Sequence, residues 1–379
     1  MKKFRIFVSI FVLTIMLALI AYTYIVRIIP KNPMKSFTPV ASGDFPASPI
    51  WVFAADEEII TAPATHNHTA FVRTNNYLYS IDIQEQIVNW KITSIANQSP
   101  DVAPLILDQQ VIVVEAGSVV AAYSIENGSL MWKTSEIEIA KITAAVETMA
   151  FNERYLYVAR FDWQLTAYDR ETGETVWEYA LPGRSDPYIA ANESMVVLAV
   201  DETISALDAN TGKVLWQISI PGYAGPLLLS GNQLFVTDEK SVTLQALDLS
   251  TGQNYWIADF SSVVERYYYS CVVETNEALL IAANKLIMVS KADGGIIWSS
   301  DDLGTLECPS VGKESVFIRN TKTDLFRMDL ATGAISGKLS VLEDTFQHNE
   351  PFRTPVLSGE FLLVPLGDNR LSIYKVDDL

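Results

Sequence analysis

From about residue 50 onward, apolar and polar positions alternate in short runs, and each run is cut by Gly, Asn, Asp, Ser or Pro. A period of two is that of a strand with unlike faces, and the interrupting residues are those that favour turns. The run 165–169, LTAYD, alternates in this way. Thr172 and Gly173 then break it with a residue that tolerates positive φ, and 174–179, ETVWEY, alternates again. The local prediction is a β-hairpin. At its turn the Asp169 carboxylate can accept hydrogen bonds from turn amides, the usual reason for a short acidic side chain there.

The hairpin recurs along the chain. Residues 167–177 read AYDRETGETVW, 206–216 read ALDANTGKVLW and 246–256 read ALDLSTGQNYW, so Asp208 with Gly212 and Asp248 with Gly252 repeat Asp169 with Gly173. Weaker copies end at Trp90, Trp132 and Trp298, a seventh keeps Asp329 and Gly333 but has Gly337 in place of Trp, and an eighth begins at 371–374, LSIY. Upstream of most Trp positions lies a second landmark, at Pro63, Pro104, Pro187, Pro226, Pro309 and Pro355, followed by two further apolar runs. Each unit therefore holds four short strands. One such sheet has two faces to cover, and stacked copies cover them.

The two ends of the array complement each other. Trp51 lies in what reads as a fourth strand with no first three before it, and the stretch from Pro355 to Tyr374 supplies three strands without a fourth. Their pairing would seal the ring and remove both sheet edges. The Trp-equivalent positions are then 51, 90, 132, 177, 216, 256, 298 and 337. The expected fold is all-β: an eight-bladed β-propeller of four-stranded antiparallel blades, closed by N- and C-terminal strands, with one N-terminal transmembrane helix.

The pattern A-x-D-x-x-T-G-x-x-x-W resembles the tryptophan-docking repeat of the pyrroloquinoline-quinone (PQQ)-like propeller superfamily, in its non-enzymatic envelope-scaffold type, over residues 50–379. The resemblance implies that Trp51, Trp90, Trp132, Trp177, Trp216, Trp256 and Trp298 form a girdle, each indole packed on the Gly-containing turn of a neighbouring repeat. The chain departs from the pattern at Gln86 for Gly, Ser124 and Ser290 for Asp, and Gly337 for Trp.

Residues 6–26 carry no charge. As a helix these 21 residues would span about 32 Å, enough to cross a bilayer core. Lys2, Lys3 and Arg5 precede the run, and Tyr22 and Tyr24 sit near its end, where aromatic residues favour the interface. The run is long for a cleaved signal and no Ala-x-Ala site follows it, which favours an uncleaved anchor. The expected division is a signal anchor over 1–30, a linker over 31–49 rich in small residues, and the propeller over 50–379. The expected location is the cell membrane, single-pass, with the propeller on the extracytoplasmic side.

The chain carries a formal charge of −18, and because residues 1–45 hold six of its 27 basic residues and one of its 45 acidic ones, the remainder stands at −23. Such a surface repels phosphate backbones, which argues against nucleic acid as a partner. There is no nucleophile elbow, no His-Glu-x-x-His and no phosphate-cradling Gly loop, so no catalytic residues are assigned. His66 and His68 alternate as two ligands on one face could, but they fall in a turn and lack an evident third, so no metal site is expected. Cys271 and Cys308 lie near the Pro landmark of successive blades. A disulfide between them is one reading; because equivalent inner strands of neighbouring blades are usually too far apart for one, two buried thiols are the expectation.

Tyr267, Tyr268 and Tyr269 precede the first strand of a repeat and form a candidate partner patch, since aromatic side chains often anchor interfaces. The longer repeats place extra loop at 133–150 and 337–355, where a propeller gains specificity. The functional expectation is a membrane-anchored extracytoplasmic propeller that binds or scaffolds a protein partner, without cofactor. The alternative implied by the resemblance is a quinoprotein dehydrogenase needing PQQ and calcium.

Overall fold

Strands Ala224–Ser230, Gln233–Asp238, Thr243–Asp248 and Asn254–Asp259 pair antiparallel in that order to make one blade. The two middle strands, QLFVTD and TLQALD, are almost wholly buried because neighbours cover both their faces. The outer strand, NYWIAD, alternates exposed and half-buried, since only one face is covered. A one-residue register shift between Ala246 and Leu247 lets Asn254 pair with Leu247 and Trp256 with Ala246, so Tyr255 is the extra residue of a β-bulge. The same shift precedes Trp90, Trp177, Trp216 and Trp298. It aims the indole toward the next blade.

The computed structural model describes residues 40–46, 48–95, 102–135, 146–160, 163–183, 187–238, 240–264, 271–320, 324–340 and 354–376. Among these it contains eight sheets of this kind. Blade 1 spans residues 64–93, blade 2 105–133, blade 3 146–180, blade 4 188–219, blade 5 224–259, blade 6 271–299 and blade 7 310–340. Blade 8 takes three strands from residues 356–375, and its fourth is β2 (Trp51–Ala54), in which Trp51 pairs with Ile373. The ring is sealed by its two chain ends, as the half-blades at either end of the repeat array require.

Apolar packing is divided among the seams between blades, with one cluster for each. Phe235 and Leu244 meet Phe260 and Leu279 between blades 5 and 6, for example, and Phe53, Val72 and Ile81 meet Leu363 and Ile373 between blades 8 and 1. A partly or fully buried Trp belongs to every cluster but one. The exception lies between blades 7 and 8 and contains Phe45.

Three sequence expectations meet the coordinates differently. The apolar run 6–26 and the whole segment 1–30 lie outside the described residues, and no helix among the described residues is long and apolar enough to cross a membrane. Within the stretch read as a linker, β1 (Val40–Gly43) pairs with strand Ile335–Ser340 and makes blade 7 five-stranded. Cys271 and Cys308, expected as free thiols, form a disulfide with Cα atoms 5.5 Å apart. The separation of equivalent inner strands does not apply, because Cys308 precedes strand Ser310–Val311. It lies in a connection held by the Leu306–Asn320 bridge and the Glu307 amide on Arg319.

Candidate interaction face

Antiparallel strand order gives each blade two unlike ends. Turns from first to second and from third to fourth strand open on one side of the ring. Turns from second to third strand, and the connections between blades, open on the other.

The first side is uniform. Asp208 Oδ1 accepts from the Asn210 and Thr211 amides at 3.1 and 2.9 Å and from the Thr211 hydroxyl at 2.7 Å. Gly212 closes the turn at φ +66°, and its amide donates to the Asp208 carbonyl at 2.9 Å. Asp169, Asp248 and Asp329 accept in the same manner from Thr172, Thr251 and Thr332. A Cβ on Gly212 would stand 2.6 Å from the Trp177 ring, and on Gly333 2.5 Å from that of Trp298. Gly173 faces Trp132, and Gly252 faces Trp216, in the same way. Each indole also donates to a turn carbonyl of the following blade: Trp90 to Ile125 at 2.9 Å, Trp132 to Arg170 at 2.7 Å, Trp177 to Ala209 at 3.0 Å, Trp216 to Leu249 at 2.9 Å, Trp256 to Lys291 at 3.2 Å and Trp298 to Leu330 at 3.0 Å. Trp51 packs between blades 8 and 1 and stacks edge-on against Phe53. Gln86 takes the position of the turn glycine at φ +60°. These residues are structural, and their side offers a repeating pattern of short turns.

The second side carries the variety. Its connections range from residues 220–223 between blades 4 and 5 to residues 341–355 between blades 7 and 8. Several second strands, apolar along their length, end here on a charge: Arg73, Glu115, Arg160, Asp238 and Arg319. Buried charges require partners, and each of these is held individually. Arg73 donates to the Val114 carbonyl at 2.6 Å and to Ser94 Oγ at 3.2 Å, and Ser94 and Tyr123 both donate to Glu115 Oε1, at 2.7 and 2.5 Å. Burial lowers the Arg73 guanidinium to about 10, against the opposing pull of Glu115, so it remains a cation at neutral pH. Arg160 reaches the Tyr168 hydroxyl at 2.8 Å and Thr166 at 3.0 Å. Asp238 Oδ1 accepts from the Lys240 and Ser241 amides, and its Oδ2 has no partner among the described residues. Gly222, in the connection from blade 4, leaves room for this carboxylate, which an added Cβ would strike.

Around blade 1 the same side presents Asp56, Glu57, Tyr77, Tyr79 and Lys91. The Lys91 ammonium pairs with Asp56 and sits 3.6 Å from the Tyr77 ring centre. Lys91 first, then the Tyr79 hydroxyl, holds Asp56 below the usual carboxylate range. Tyr223 and Ile95 stand more than half exposed on this side.

Of the remaining candidates, Tyr267, Tyr268 and Tyr269 lie outside the described residues. Strand Asn254–Asp259 ends and strand Cys271–Glu274 begins on this second side. His66 ends strand Ala64–His66 and His68 lies edge-on to Phe361 at 6.2 Å, both on the uniform side. No three His, Cys, Asp or Glu side chains among the described residues converge as metal ligands. The charged strand ends were not singled out by sequence reasoning. Their signal is a charge closing an apolar run at one register of the repeat.

A family model described as "Outer membrane protein assembly factor BamB" matches residues 40–149 and 119–339. Among solved structures, BamB from Moraxella catarrhalis shares 13% identity at a TM-score of 0.62, covering 86% of this chain and 99% of that one. Sqt1 of Saccharomyces cerevisiae shares 10% identity at 0.69, covering 87% and 99%. The quinohemoprotein alcohol dehydrogenase ADHIIG from Pseudomonas putida HK5 shares 10% at 0.62, covering 89% and 76%. At these identities the likeness is one of fold. No curated protein sequence matches the chain.

Proposed function

The chain belongs to the PQQ-like propeller family described as outer membrane protein assembly factor BamB, and on that premise we propose that it is a membrane-anchored, extracytoplasmic scaffold that binds a protein partner. The observation that carries this reading is the asymmetry of the ring: one side repeats a single turn, while the other holds every long connection and the individually secured charges. Loops on a rigid scaffold are where binding specificity is gained. The charge-free run 6–26 supports the anchor. The Cys271–Cys308 disulfide supports an oxidising compartment, since such bonds are rare where glutathione keeps thiols reduced. The chain's negative charge favours a protein over nucleic acid or anionic lipid as partner.

The test is co-purification of the full chain from solubilised membranes, with wild type compared to Tyr223→Ala on the variable side and Glu171→Ala on the uniform side. The reading expects a protein retained by wild type and Glu171→Ala and lost with Tyr223→Ala or with other exposed substitutions beside it. Equal retention by all variants of the variable side would refute the assigned face. Saturable dye reduction with alcohols after addition of PQQ and calcium would overturn the reading altogether.

A further inference from the structure

Seven seams each hold an indole, and the seam between blades 7 and 8 holds none. Gly337 occupies the register where Trp is expected. An indole there would not face the usual turn sequence. In blade 8 the third strand, Arg370–Lys375, has Lys375 at the Asp position of the Asp-x-x-Thr-Gly pattern and Leu379 at its Gly position. The place is filled from elsewhere. Phe45 is 4% exposed and meets Tyr374 of blade 8 and Phe317 of blade 7 edge-on, at ring-centre distances of 5.4 and 6.4 Å.

Three features of the backbone deliver that ring. β1 runs antiparallel to the outer edge of blade 7, with Val40 opposite Ser340 and Gly43 opposite Gly337. Gly43 turns at φ +65°, and a Cβ there would strike the Ser336 carbonyl. On the facing strand a Cβ at Gly337 would stand 2.7 Å from the Phe45 amide nitrogen. The two glycines thus let the backbones approach at the point where the chain turns inward. The Asp44 amide then donates to the Ser336 carbonyl at 3.0 Å, and Arg327 Nη1 to the Asp44 carbonyl at 3.1 Å, securing the residue before Phe45 from both sides.

We propose that the edge of strand Ile335–Ser340, with the slot between Phe317 and Tyr374, is a strand-acceptor site whose ligand is the chain's own segment 40–45. Its specificity is that of strand addition: main-chain pairing supplies affinity, and one pocket selects an aromatic ring behind a small residue. The site couples the segment that follows the apolar run to closure of the last seam. Val40, the first described residue, lies opposite Ser340 at the end of that strand.

Hydrogen exchange of the full chain tests this. Phe45→Ala and Gly337→Ala are expected to raise exchange at least tenfold in segments 335–340 and 371–376, leaving the seam between blades 4 and 5 unchanged. Asp44→Ala, which keeps the backbone and the ring, is expected to match wild type. A synthetic peptide of residues 38–48 should then restore protection to the Phe45→Ala chain, and the same peptide carrying Phe45→Ala should not. Wild-type exchange in both segments for Phe45→Ala would overturn the proposal. So would failure of both peptides, or equal restoration by both, in a chain whose other seams stay protected.

Discussion

The two ends of a blade solve the same problem by opposite means. At the turn end six of the eight seams are locked by one device, in which an indole lies on a glycine and its N–H meets a carbonyl of the next blade. At the loop end the described contacts are less regular. Blades 1 and 2 share the Arg73–Ser94–Glu115 cluster, blades 6 and 7 share a disulfide, and blade 7 holds Arg319 against the Pro365 carbonyl of blade 8 at 3.3 Å. The ring therefore draws regularity from one end and leaves the other free to differ from blade to blade. A binding surface needs that freedom.

The strongest test of this contrast is Trp216→Ala. The substitution removes the packing on Gly252 and the 2.9 Å bond to Leu249, and truncating a large aromatic in such a setting costs about 3 kcal/mol. Trp177→Ala, at an equivalent seam, is expected to cost a similar amount in denaturant unfolding. A loss under about 1 kcal/mol at both would show that the girdle is not what holds the seams.

Next in size is the staple at the loop end. Cys271 and Cys308 are 37 residues apart, and removing a cross-link over a loop of that order costs about 2–4 kcal/mol. Cys271→Ser is expected to lower the midpoint of thermal unfolding, and reductant should bring wild type to the same value while leaving the variant unmoved. A reductant effect equal in both would mean that the bond contributes nothing to the seam.

The contrast also explains what could be read in the sequence. Asp208, Gly212 and Trp216 recur at fixed spacing because one local geometry is used at seam after seam, so repetition exposes them. Phe45 is silent by the same logic: it serves one seam, sits among small residues without periodicity, and answers a gap created 292 residues later at Gly337. The cysteine pair was misjudged because inner-strand spacing was applied to a residue that precedes its strand. Arg73, Ser94 and Glu115 come from three elements, and no local pattern links them. The eight-fold count was legible because Trp51 and the final three strands are visibly incomplete halves.

Acid should weaken the turn end as well. Hydrogen bonds from Ser250, Tyr255 and Thr251 hold Asp248 well below the usual carboxylate range, and Thr332 acts on Asp329 in the same direction. A carboxyl whose folded value is depressed stabilises the fold fully above its unfolded value of about 3.9, and the contribution is lost as pH falls toward the folded value. The denaturation midpoint is expected to be flat from pH 7 to about 5 on this account and to decline below pH 4. Asp248→Asn, unable to titrate, should decline less steeply. Parallel curves would remove Asp248 from the explanation.

The smallest effect sharpens the comparison most finely, because it repairs a departure rather than breaking a rule. Gln86 holds φ +60° where six other turns from third to fourth strand carry a glycine at positive φ. A side chain in the left-handed region costs about 1–2 kcal/mol. Glycine relieves this but adds freedom to the unfolded chain, an opposing effect of roughly 0.5–1 kcal/mol. Gln86→Gly should therefore stabilise the fold, by about 0.5 kcal/mol, in repeated urea unfolding at neutral pH. A loss of stability would mean that the Gln86 side chain contributes more to its turn than the strained backbone costs. Blade 1 would then be specialised at its turn end as well, and the division between a regular and a variable end would fail at that seam.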